Sequence, residues 1–124
     1  MTQPIWSAPV RFAEADQQGI VFNAHYLVYC DEAMGAFCAS RGLSSFAERV
    51  RLKSSTLTWD SPVRHGDTVD VYASCSRIGT TSMTMSFEVK VADRTCCVVD
   101  TTYVSIDDSG APQPIPAETA QSLR

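Results

Sequence analysis

One stretch restricts the fold of this chain more than any other. From Ala24 to Arg41 the residues are apolar almost all round a helical circumference. Leu27, Val28, Tyr29, Cys30, Ala33, Met34, Ala36, Phe37, Cys38 and Ala39 leave only Asp31, Glu32 and Ser40 as interruptions. A helix of that kind must be covered on most of its sides. Asn23 is a favourable N-cap and Gly42 a favourable stop. In a chain of 124 residues, something must wrap this helix.

Downstream of the helix the chain reads mainly as strand. Ser45-Phe46-Ala47-Glu48 is a capping-box pattern, which predicts a short helix to about Val50. Leu52 to Trp59, Thr68 to Ile78, Met83 to Val91 and Thr95 to Ile106 are strand candidates. The third alternates most cleanly, with Met83, Met85, Phe87, Val89 and Val91 set against Thr84, Ser86, Glu88 and Lys90. Pro9 to Ala15 reads as a short strand before the helix, and Asp16-Gln17-Gln18-Gly19 as a turn. The tail from about residue 107 is rich in proline and is expected to be ordered only in part, with Pro116 able to open a last short helix. No repeat, linker or second domain is evident, so one domain over 1–124 is expected. The order predicts an α+β fold, one antiparallel sheet curled around one long central helix. A single sheet cannot cover that helix, so a homo-oligomer, dimer or tetramer, is expected.

Composition removes several classes of function. Apolar residues make up 44% and charged residues 19%, a folded rather than a disordered balance. The net charge of -4 gives no general affinity for nucleic acid or an anionic membrane. No apolar run nears the roughly 20 residues of a membrane span. The opening MTQPIWSAPV has neither the basic nor the apolar region of a leader, so the cytoplasm is the expected compartment. Five cysteines, with no C-x-x-C, and two histidines make a poor zinc set; free thiols packed as small apolar groups are expected, and no metal.

Two motifs carry a resemblance that covers nearly the whole chain. The first is Asp16-x-x-Gly19-x-Val21-Phe22-Asn23-x-His25-Tyr26, a polar turn entering the helix. The second is WDSPVRHGDTVDV, Trp59 to Val71, with Pro-x-x-x-Gly-Asp at a strand-to-strand turn. In this order and spacing they resemble the hotdog-fold thioesterases, in particular the 4-hydroxybenzoyl-CoA thioesterase group. Arg77-Ile78-Gly79-Thr80-Thr81-Ser82 is similar, more weakly, to a Gly/Arg/Ser-rich hairpin of that group. Two departures stand out. Asn23 and His25 are transposed relative to the His and Asn of many relatives, and Thr80 replaces a frequent arginine.

The resemblance implies an acyl-CoA thioesterase, with coenzyme A as part of the substrate and no cofactor. The chemistry needs a base or nucleophile, a site for the oxyanion and a grip on the acyl carrier. Free N–H groups at the first helical turn, near Asn23 and Ala24, suit an oxyanion. Asp16 is implied as nucleophile or as general base for water. His25 would orient water or the thioester oxygen, or else fill a subunit contact. Phe22 and Tyr26 would line the acyl site or the core. Arg77, Thr80, Thr81 and Ser82 would meet the phosphates or pantetheine of CoA. Competing readings are a turn-forming role alone for Asp16, a capping role alone for Asn23, and an ordinary polar hairpin at 77–82. At the level of function the alternatives are a hotdog hydratase, a non-catalytic acyl-thioester binder, and hydrolysis of thioesters on acyl carrier protein.

Overall fold

The computed structural model describes residues 3–124. The main helix, α1, spans His25–Ser40. Its buried side chains are Tyr26, Tyr29, Cys30, Ala33, Met34, Phe37 and Cys38. That is the i, i+3, i+4, i+7 spacing of one helical face. Val28, Asp31, Glu32 and Gly35 lie on the other side and are exposed. The expected covering of the helix nearly all round is therefore met within one chain on one side only. The helix stops at Gly42, whose φ of 69° lets the Leu43 amide return to the Cys38 carbonyl at 2.8 Å.

The buried face packs with a five-stranded antiparallel sheet in the order β1-β3-β4-β5-β2. The strands are β1 Trp6–Pro9, β2 Val50–Trp59, β3 Thr68–Ile78, β4 Ser82–Val91 and β5 Arg94–Ser105. Alternation sets the inner face. Val71 pairs with Val89 and Ala73 with Phe87 across β3 and β4, and Phe87 pairs with Val99 across β4 and β5. All five are buried. Each of the three valines and Phe87 contributes about 1.5–3 kcal/mol when fully buried. Cys96 and Cys97 are adjacent yet both buried. A β-bulge explains this: Cys97 faces Val89 while Thr95 faces Lys90, so Cys96 is the extra residue of β5.

Several boundaries differ from the sequence reading, each for a local reason. The first strand ends at Pro9 instead of running from Pro9 to Ala15. Val10 is still buried, but Phe12–Glu14 then closes a 3-10 turn because Glu14 accepts the Arg11 amide. Asn23 does not cap α1. The chain enters the helix from a backbone turn in which the Phe22 carbonyl accepts the His25 amide at 2.9 Å, and Ala24 takes the cap position with no side-chain bond. The short helix α2 is Ser44–Ala47, without a side-chain cap, and ends before Val50 because that residue opens β2 opposite Ser105.

The tail, expected to be only partly ordered, is held at intervals. Ile106 bridges Pro112, the Ile115 amide donates to the Thr80 carbonyl at 2.8 Å, and Pro116 caps α3, Ala117–Leu123. Leu123 is 1% exposed and belongs to the core. Leu123→Ala is therefore expected to destabilise the chain by about 3 kcal/mol, read from the midpoint of a urea unfolding curve. An unchanged midpoint would mean that the tail contributes nothing to the core.

Candidate active site at the start of the main helix

The polar turn before α1 is a tight hairpin. Ala15 bridges Val21, the Asp16 amide donates to the Ile20 carbonyl at 2.8 Å, and Gly19, at φ 78°, donates to the Asp16 carbonyl at 3.0 Å. Asp16 is exposed. Its Oδ1 accepts the amides of Gln18 at 2.8 Å and Ile20 at 3.4 Å. Its Oδ2 accepts no hydrogen bond among the described residues. One oxygen thus holds the turn and the other faces outward.

The two sequence motifs meet here. Ile20 bridges Arg64, the Val21 amide donates to Val63 at 2.7 Å, and the His65 amide donates to Gly19 at 3.0 Å. A segment from beyond the main helix and β2 is therefore fastened to the Asp16 turn. Arg64 is exposed beside that turn, and His65 packs edge-on against Phe12, with ring centres 5.6 Å apart.

At the helix entry the amides of Asn23, Ala24 and Tyr26 have no acceptor among the described residues, as expected of a first turn. Asn23 lines a cavity of about 360 Å³ with Ile20, Val21, Tyr26, Trp59 and Asp60. Tyr26 is buried, and its hydroxyl accepts the Val63 amide at 3.3 Å. Its ring meets Trp59 edge to face. Phe22 points away from the core and is 59% exposed. Asn23 and Tyr26, two of the residues with free amides, thus line a cleft whose walls are mostly apolar. Ile20, on that wall, is bonded to Asp16.

A second group beside the helix start was not singled out in the sequence. Glu14 is 6% exposed, a buried carboxylate. Its Oε1 accepts the Arg11 amide at 3.0 Å and the Tyr29 hydroxyl at 2.9 Å, and its Oε2 accepts Arg11 Nε at 2.8 Å. His25 Nε2 lies 3.3 Å from Oε2. These groups line a cavity of about 350 Å³ with Trp6, Val28 and Glu32. Burial opposes ionisation of Glu14. The amide and guanidinium of Arg11, the Tyr29 hydroxyl and the charge of His25 outweigh it and hold the carboxyl at about 2. Burial, and then the same carboxylate, push the Tyr29 hydroxyl upward, so it stays a donor. In the sequence Glu14 reads as the polar member of an alternating strand; the 3-10 turn that points it inward leaves no periodic signal.

The hairpin residues lie elsewhere. β1 pairs Pro9 with Thr68, and Pro9 lines the Glu14 cavity, so the helix start sits at the first end of β3. Arg77, Thr80, Thr81 and Ser82 surround the other end, about 30 Å away along an extended strand. Within one chain they do not meet Asp16, Asn23 or His25. Arg77 and Thr80 are exposed, while Thr81 and Ser82 are half-buried. Another open depression, about 660 Å³, is lined by Arg49 and the loop 106–110 and holds none of the candidate residues. The five cysteines are free thiols, and burial pushes Cys30 up to about 12 and Cys97 to about 11, which makes them packing groups rather than nucleophiles. Among the described residues no cluster of metal-ligating side chains occurs, and no helix is long and apolar enough to cross a membrane.

A five-stranded antiparallel sheet packed with one main helix is the arrangement of hotdog-fold thioesterases. The model of the thioesterase superfamily matches residues 18–98, and the chain belongs to that family. No curated protein matches the sequence. Among solved structures, a hypothetical protein from Aquifex aeolicus is 26% identical, with a TM-score of 0.88 over 96% of this chain and 98% of that one. A predicted thioesterase from Bacillus stearothermophilus is also 26% identical, with a TM-score of 0.85 over 96% and 92%. A Thermus thermophilus thioesterase complexed with coenzyme A and zinc shares the fold at 22% identity, with a TM-score of 0.90 over 100% and 95%.

The low value of Glu14 has a consequence for stability. A carboxyl depressed from 4.5 to about 2 on folding stabilises the folded chain above pH 4.5 and loses that contribution as the pH falls toward 2. Urea unfolding between these values is expected to show a steeper loss of stability in the wild type than in Glu14→Gln. Parallel curves for the two proteins would refute the buried, ionised carboxylate.

Proposed function

We propose that this chain hydrolyses acyl-CoA thioesters to the free acid and CoA. In this reading the thioester carbonyl sits in the cleft at the helix entry and its oxygen accepts the free amides of Asn23 and Ala24. Those donors stabilise the oxyanion, a contribution of about 3 kcal/mol for each donor in acyl transfer. Asp16 Oδ2 takes a proton from water as that water attacks the carbonyl carbon, or attacks the carbon itself and is released by water afterwards. On the first route the tetrahedral intermediate then breaks its C–S bond and the thiolate leaves, taking up a proton; on the second the thiolate leaves in the same way before water cleaves the resulting anhydride. Asn23 and Tyr26 line that cleft, while His25 lines the neighbouring Glu14 cavity and Phe22 is exposed beside the helix entry. The observation that carries this reading is an exposed carboxylate with one unbonded oxygen on a turn whose Ile20 forms part of the wall of a cleft that Asn23, at the helix entry, also lines.

The distance from this cleft to Arg77, Thr80, Thr81 and Ser82 bears on assembly. If these residues grip CoA, those of a second copy would do so. Two features support a homo-oligomer. Among the described residues β2, ten residues long, is an edge strand paired only with β5, so its outer rim is unpaired. On the outward side of α1, Val28 is 44% exposed and Gly35 has nothing within 4 Å of an added Cβ. Sedimentation equilibrium is expected to give a dimer or tetramer; a monomer at all concentrations would contradict this.

Hydrolysis is tested by following thiol release from aryl-, short- and long-chain acyl-CoA and from acylated carrier protein. Asp16→Asn retains the oxygen that holds the turn, so its fold is expected to be unchanged while kcat falls by about 10²–10⁴. Wild-type turnover in that variant would remove Asp16 from the mechanism. Tight binding of acyl-CoA without turnover in the wild type would favour an acyl-thioester binder.

A further inference from the structure

The buried Glu14 carboxylate has a role that its stability contribution does not exhaust. An ionised carboxylate offers about four acceptor positions. Three are filled by donors: the Arg11 amide and the Tyr29 hydroxyl on Oε1, and Arg11 Nε on Oε2. The remaining position on Oε2 faces His25 Nε2 at 3.3 Å. That nitrogen is sealed from solvent and has no hydrogen-bond partner among the described residues. Its line to Oε2 is too bent for a good hydrogen bond, so the contact acts through charge and dipole. It still decides where the ring proton sits. A bare nitrogen lone pair at this distance would face a carboxylate oxygen with nothing between them. A protonated nitrogen presents the opposite charge.

We propose that Glu14 is a positioning residue that fixes neutral His25 as its Nε2–H tautomer, leaving Nδ1 as the basic ring nitrogen at the start of α1. The His25 side chain keeps 23% of its exposure, and none of it is at Nε2. Nδ1 accepts no hydrogen bond among the described residues. Tyr29 braces the arrangement from a second direction. Its hydroxyl holds Oε1, and its ring meets the imidazole edge to face, with centres 5.0 Å apart. The consequence for catalysis rests on the thioester-hydrolase reading: Nδ1 is the ring nitrogen left to accept a hydrogen bond from the attacking water at the helix start. The inverse tautomer would offer that water a donor where it needs an acceptor.

The chain has only two histidines, so long-range ¹H–¹⁵N spectra of labelled protein at mildly alkaline pH resolve both imidazoles, with His65 as internal control. The wild type is expected to show His25 protonated at Nε2. In Glu14→Gln the carboxamide keeps its oxygen for the Arg11 amide and Tyr29 and turns its NH₂ toward His25, giving up the bond from Arg11 Nε, whose exposed side chain turns to solvent, so the ring is expected to invert to Nδ1–H while His65 is unchanged. A wild-type His25 that is Nδ1–H or a mixture would overturn the proposal, as would a folded Glu14→Gln variant that retains Nε2–H. Should that variant not fold, the wild-type spectrum decides alone. In turnover, Glu14→Gln is expected to lower kcat by about 10²-fold with KM changed by no more than about threefold. His25→Ala should lose as much, and the double variant no more than either alone. Additive losses would overturn a role exerted through His25. If the wild type hydrolyses no thioester while the tautomers behave as stated, the hydrolase reading fails and the Glu14–His25 pairing stands.

Discussion

Seven side chains of α1, from Tyr26 to Cys38, are sealed against the inner face of the sheet, and the position of everything at the helix entry depends on that contact. The packed stripe fixes the rotation of the helix about its own axis. Tyr26 and Tyr29 are its first two members, and each carries a hydroxyl that anchors a different wall. Tyr26 takes the Val63 amide and so ties the helix to the loop before β3. Tyr29 reaches Glu14 and ties the helix to the 3-10 turn after β1. The hairpin of Asp16 lies between these two anchors, in chain and in space. Its rigidity is therefore borrowed from the core rather than generated by its own few bonds.

Two carboxylates two residues apart have opposite surroundings. Glu14 is buried, accepts three hydrogen bonds and is held ionised by Arg11 and Tyr29. Asp16 is exposed, with one oxygen committed to the turn and one free. A buried carboxylate with three positions taken by donors is poorly suited to take part in a reaction and well suited to orient a neighbour. One with a free oxygen beside a cleft has the reverse character. The proposed division of labour between them arises from this contrast in environment, since the chemical groups are the same.

The sequence exposed the elements whose signal is periodic. β3 spans the expected Thr68 to Ile78, β4 begins one residue early, and α1 lies within the expected Ala24 to Arg41. The membership of the thioesterase superfamily was also legible, because the Asp16 turn and the Pro62–Asp67 turn have distinctive composition. Their contact was not: the Ile20–Arg64 bridge depends on long-range pairing that no local pattern encodes. Glu14 was missed because a non-periodic turn rotates it inward. Asn23 was read as a cap from its residue type, whereas the backbone carbonyl of Phe22 already served the amide concerned. The apolar character of the helix all round was visible, yet among the described residues Val28 on its outer side stays 44% exposed.

The central claim is that a thioester carbonyl lies between the free oxygen of residue 16 and the unbonded amides at the helix entry. A crystal structure of Asp16→Asn with an intact aryl-CoA bound tests it most directly. The account predicts the carbonyl oxygen within hydrogen-bond distance of the Asn23 or Ala24 amide and its carbon facing the side chain of residue 16. An acyl group seated elsewhere, with those amides facing solvent, would contradict it.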